Sequence, residues 1–122
     1  MVVDDKYAKI WISDGILFFV YKEIYEIDRQ MAKYIVSQRL RVQNEKSFPI
    51  FCDFRAVTNA HKEARDYLAL EGSYMTKALA LLVKDEHSMA ITQLYVKTSK
   101  PDYPTKVFID KEEALSFLKD FK

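Results

Sequence analysis

Polar and apolar residues alternate along Tyr7–Ser13, with Ala8, Ile10 and Ile12 on one face and Tyr7, Lys9, Trp11 and Ser13 on the other. That is the period of a half-buried strand. Asp14-Gly15 follows directly and predicts a type I′ turn, since glycine tolerates positive φ. Ile16–Tyr21, ILFFVY, then reads as a second strand, apolar on both faces and so internal to a sheet.

Helical spacing takes over at Ile27–Asn44, where Ile27, Met31, Tyr34, Ile35 and Val42 share one face. Asp28 near its start and Arg39 and Arg41 near its end suit the helix dipole. Arg29, Lys33, Val36 and Leu40 form a second, mixed face, expected to be exposed.

Phe48–Phe54 is the next predicted strand, with Pro49 tolerable only near its beginning. A short connection leads to a helix packed through Ala60, Ala64, Tyr67 and Leu68, with Thr58 or Asn59 as its expected N-cap. Glu71-Gly72-Ser73 ends that helix, and Tyr74–Lys77 forms a further turn or loop. Ala78–Val83 reads as a buried strand. Ser88–Lys97 has mixed signals, but a crossover must join two buried strands, so a helix is expected there. Lys97–Pro104 is a loop, Thr105–Ile109 a final strand, and Asp110 with Glu113 opens a helix whose stripe is Ala114, Leu115, Leu118 and Phe121.

The order β-β-α-β-α-β-α-β-α predicts one α/β domain: an N-terminal hairpin, then strand–helix units, in a five-stranded mixed sheet.

Composition narrows the chemistry. The 122 residues are 49% hydrophobic and 30% charged, as in an ordinary globular domain. With 19 basic and 18 acidic residues well mixed, the chain lacks the clustered excess that phosphate binding uses, and no nucleic-acid partner is expected. Two glycines and three prolines leave little for a phosphate loop or disorder. Cys52 is the only cysteine, so no intramolecular disulfide can form; inside an apolar strand it reads as a small buried thiol. His61 and His87 have no metal-ligand spacing, and no metal or cofactor is expected. The N-terminus begins with acids and lacks the apolar run of a signal peptide, and no stretch suggests a membrane span. The cytoplasm is the expected location.

Four segments carry a family resemblance: KIWISDGILFFV (Lys9–Val20), IFCDFRAVTNAHKEARDYL (Ile50–Leu68), KALALLV (Lys77–Val83) and PTKVFIDKEEALSFL (Pro104–Leu118). In that order they resemble the SpoIIAA-like or STAS-type domains, especially the small bacterial proteins of that fold. The resemblance implies a regulatory module that acts through protein contacts. The best-known members carry a phosphorylatable serine at the start of the helix after the third strand. Matching Asp53 to the family's strand-ending aspartate puts Lys62 and Glu63 near that position, with Thr58 the nearest hydroxyl. The resemblance therefore implies the fold without the phospho-switch.

The densest polar group is Asp53, Arg55, Thr58, Asn59 and His61, at the carboxyl end of a central strand. Such an end is where ligands meet repeating strand–helix folds. With Lys62 and Glu63 it is the candidate partner-binding site. The competing reading is structural, with Asp53 paired to Arg55 and Thr58 and Asn59 capping the helix. Arg29, Lys33, Val36 and Leu40 are the candidate interface, for an unknown protein partner or a homodimer.

No nucleophile, base and orienter can be assembled, so a non-enzymatic binding or regulatory module is expected. The alternative is a small apolar ligand or lipid-binding domain, since the fold is also similar to that of lipid-carrying domains. Trp11, Phe18, Phe19 and Tyr95 would then line an apolar pocket, whereas a filled core is the simpler expectation.

Overall fold

The hairpin forms as the alternation requires. In the computed structural model, which describes residues 1–122, β2 (Ala8–Ser13) pairs antiparallel with β3 (Ile16–Tyr21). Asp14 and Gly15 both take positive φ, 49° and 76°, as a type I′ turn demands. A two-residue strand, β1 (Val3–Asp4), adds outside β2. The Asp5 carboxylate shapes the turn between them, accepting from the backbone N–H of Tyr7 at 2.9 Å and Ala8 at 3.1 Å.

From β3 inward the sheet is parallel. β5 (Phe48–Asp53) lies beside β3, β7 (Thr76–Leu82) beside β5, and β8 (Thr105–Phe108) beside β7. The order is β1-β2-β3-β5-β7-β8, six strands where five are predicted; β1 is too short to show a period. The β5–β7 register shifts between Phe48 and Pro49, where proline has no N–H to give the ladder.

A second sheet was not predicted. β4 (Ile24–Ile27) and β6 (Val57–Ala60) pair in parallel. Each is four residues long, with buried apolar ends and a polar middle, so neither shows a strand period. This corrects the expected capping. Thr58 and Asn59 are exposed strand residues, and His61 takes the N-cap position of the next helix without a side-chain capping bond.

Three helices cross between strands and a fourth follows the last one. α1 (Arg29–Gln43) starts at Asp28, whose carboxylate accepts from Met31 N–H at 2.8 Å, and ends on Asn44 in the left-handed conformation. α2 (Lys62–Leu70) runs into a single 3-10 turn at Glu71–Ser73. α3 (Glu86–Ser99) is the helical crossover expected from the topology, capped by Asp85. α4 (Lys111–Leu118) is capped by Asp110, which accepts from Glu112 N–H at 3.1 Å. No helix is long and apolar enough to cross a membrane.

The sheet separates two cores. On one face, Leu17, Phe19, Ile50 and Cys52 are covered by Ala32, Ile35 and Val42 of α1 and Ala64 of α2. On the other, Phe51, Ala78, Ala80, Leu82 and Phe108 meet Ala114 and Leu118 of α4. Alanines at 78, 80 and 114, all fully buried, let α4 lie close to the strands.

Candidate functional site

A cavity of about 270 Å³ lies between α2 and α3, over β7 and the start of β8. Leu79 and Leu81 form its floor, Leu68 and Ala69 of α2 one wall, and Ile91, Tyr95 and Val96 of α3 the other. It exists because α3 stands away from the sheet: none of its 14 residues is buried. Helical spacing marks Ile91, Leu94 and Tyr95 as a packing stripe. In the structure Leu94 is 61% exposed, and Ile91 and Tyr95 face the cavity. Arg65 spans from α2 to α3, its guanidinium carbon 3.8 Å from the centre of the Tyr95 ring.

The predicted polar group divides at this cavity. Arg55, Thr58 and Asn59 line it, whereas Asp53, His61, Lys62 and Glu63 do not. Asp53 is buried and holds Arg55 through two bonds, Oδ1 accepting from Nε at 3.0 Å and Oδ2 from the terminal nitrogen at 2.7 Å. That hydrogen bond raises the Arg55 guanidinium above its ordinary value. His61 Nε2 is 3.1 Å from Glu26 Oε2, and Lys62 pairs with Asp66 along α2. Glu63 sits exposed in the first turn of α2.

The candidate interface on α1 is corrected. Arg29 and Lys33 are exposed, but Val36 is buried and Leu40 half-buried, so no apolar stripe faces outward. The helix packs on more than one side, and Val36 turns toward a smaller cavity of about 90 Å³. Phe54, Leu68, Leu79, Leu81 and Tyr103 separate that space from the larger one and line both.

Arg39 also lines the small cavity, only 5% exposed and with no carboxylate partner. Its guanidinium donates to Gln43, to the carbonyls of Gly72 (3.2 Å) and Tyr74 (3.3 Å), and to Thr76 Oγ1 (3.4 Å). Gln43 in turn donates to the carbonyls of Lys46 and Met75. Burial pulls the Arg39 guanidinium below its ordinary value, but arginine stays charged. The network ties the end of α1 to the turn before β7. Near the end of a helix Arg39 suits the dipole, but its spacing from Ile35, Val36 and Val42 is the signal that it faces inward.

Of the aromatics expected in a pocket, only Tyr95 lines the large cavity, and Phe19 lines the small one. Trp11 and Phe18 stack on the opposite face of the hairpin, 5.2 Å between centres and 6° between planes. Cys52 is buried, and desolvation pushes its thiol far up, away from thiolate chemistry. No three His, Cys, Asp or Glu side chains converge as a metal site would require.

A hairpin feeding a parallel sheet with crossover helices is the SpoIIAA-like architecture, and a solved structure supports that class. The chain is similar to an uncharacterised protein of the DUF3478 family with a SpoIIAA-like fold from Shewanella loihica PV-4. The TM-score is 0.67 at 14% identity, over 91% of each chain, a likeness of fold. Residues 10–122 match the domain of unknown function DUF7793, and the chain belongs to that family. No curated protein sequence matches it.

Proposed function

We propose that this protein is a non-enzymatic binding module whose working site is the cavity between α2 and α3, and that it takes a small, largely apolar ligand. One observation carries the reading: α3 roofs a cavity of about 270 Å³ without burying a single residue. A helix held away from its sheet forfeits the contacts that normally stabilise it, and a ligand in the gap restores them. The volume is just below the range for drug-sized small-molecule sites, roughly 300–1,000 Å³, which suits a small ligand. The wall hydroxyls of Thr58, Ser88 and Thr92 have no histidine or carboxylate in the same wall to activate them, which favours binding over catalysis.

Native mass spectrometry of the purified protein, with amide NMR titration of decan-1-ol, tests this. Shifts confined to α2, α3 and β7 are the expected result. Shifts spread over the surface, or none, would remove the reading.

A second reading, contact with a protein partner, is favoured by the half-exposed Trp11–Phe18 stack. A second copy of the chain on this patch would be lost in Trp11→Ala, seen as a fall in mass by light scattering. A wild-type protein that is monomeric, and pulls down nothing that Trp11→Ala fails to pull down, would end it.

A further inference from the structure

The charge around the cavity is of one sign. Arg55, Arg65 and Lys84 line it, and no aspartate or glutamate does. Topology puts two of these cations toward one end. Arg55 and Lys84 each follow the carboxyl end of a parallel strand, two residues beyond Asp53 of β5 and Leu82 of β7. Arg65 of α2 reaches the cavity further along, on Tyr95 in the second half of α3.

The three cations differ in what already satisfies them. Arg55 is neutralised by Asp53. Arg65 bonds only a neutral acceptor, the Ala60 carbonyl at 2.7 Å, and lies on the Tyr95 ring. Lys84 forms no salt bridge, although its charge acts on the adjacent Asp85 carboxylate. Two positive charges beside an apolar space, with no acid in its wall, attract an anion more strongly than they would in open water. Arg39 does not compete for this role, since both its terminal nitrogens are occupied by protein acceptors.

We propose that the ligand is an amphipathic anion. Its carboxylate or equivalent acidic head is drawn by the charges of Arg65 and Lys84, and its apolar body lies against Leu68, Leu79 and Leu81. This rests on the binding reading above and adds the ligand's charge.

Calorimetric titration of the full chain with decanoate, decan-1-ol and decylammonium separates the two ideas. Decanoate is expected to bind at least about tenfold tighter than decan-1-ol, since charge-assisted hydrogen bonds are roughly twice as strong as neutral ones. Decylammonium should bind most weakly. In Lys84→Gln, an exposed site that leaves the fold alone, the preference for decanoate should shrink. In Arg65→Gln/Lys84→Gln the ratio of decanoate to decan-1-ol affinity, measured within the variant, should fall to within about twofold. Equal affinities for decanoate and decan-1-ol in the native chain, or a preference that survives in the double variant, would overturn the anion proposal and leave the apolar site standing. Failure of all three probes would overturn both.

Discussion

α3 and α4 follow successive strands of one sheet, yet they meet it in opposite ways. α4 has eight residues and buries Ala114 and Leu118 completely against Ala78, Ala80 and Leu82. α3 has 14 and buries none. The difference lies beneath the helices. Under α4 the strands present alanines, and the helix sinks to close packing. Under α3 they present Leu79 and Leu81, flanked by Tyr103, and the helix rides on Tyr95 with its Arg65 partner. Helix length and amphipathic spacing therefore do not measure how firmly a helix is held; the closeness of its approach to the strands does.

The sharpest way to break this comparison is to truncate one side chain in each helix. Leu118→Ala should cost about 2–5 kcal/mol in denaturant unfolding, the range for a fully buried leucine. Ile91→Ala, at a site 37% exposed, should cost about 1 kcal/mol or less. Equal costs would mean that α3 is as firmly seated as α4. Amide exchange should agree, with α3 exchanging well before α4.

Next in size is the buried arginine on the α3 side of the sheet. Arg39→Ala leaves the Tyr74 carbonyl and Gln43 Oε1 without their donor and Gly72 with the Thr76 hydroxyl alone, and should cost about 2–3 kcal/mol. Arg39→Lys should recover little, because one ammonium cannot reproduce the fork. Full recovery by lysine would show that charge alone matters there.

Tyr103, which lines both cavities, reports whether this side is dry. Burial pushes its phenol up to about 12 from an ordinary 10.0. The unfolded chain loses this proton first. The stabilisation is thus complete below about pH 10 and is lost as pH rises through about 12. Unfolding followed across that window should show a fall of about 1–2 kcal/mol attributable to this group, absent in Tyr103→Phe. An unchanged alkaline limb in the variant would mean that water already reaches the phenol.

The smallest effect is a gain. Ala69→Leu places a larger side chain in the cavity and should add about 0.5–1 kcal/mol while reducing decan-1-ol binding at least about fivefold. Stabilisation without loss of binding would move the ligand elsewhere.

Most of the fold was legible in the chain because its signals are local. Asp14-Gly15, the ILFFVY run and the Asp110 cap each decide their own neighbourhood, whereas Asp28, expected as a dipole charge within the helix, is its N-cap. β4 and β6 were not legible, since IYEI and VTNA are too short to show a period and become strands only by pairing with each other. The site was half legible. Arg55, Thr58 and Asn59 are expected at a partner surface or helix cap; Arg55 lies just beyond β5, Thr58 and Asn59 lie within β6, and all three line the cavity. A cavity is missing volume, and periodicity counts only the residues present. Ile91 and Tyr95 have the same spacing whether they touch the sheet or stop short of it. Arg65 and Lys84 gave no signal at all, because their likeness in charge matters only once α2 and β7 are side by side.

The small β4–β6 sheet has a mechanical consequence. It joins the entrances of α1 and α2 directly: Ile24 N–H donates to Ala56, His61 N–H donates to Ile27, and Ile27 pairs with Ala60. These two helices are strapped into one stiff body. No such strap reaches α3, which is held at its ends by the connections after Val83 and Ser99 and across the gap by Arg65 on Tyr95. Any widening of the cavity must therefore be taken up by α3 alone. The cavity thus has one wall tied to its neighbour by a strand pair and one that is not, and the untied wall begins just after Lys84, the charge proposed to draw the ligand's head.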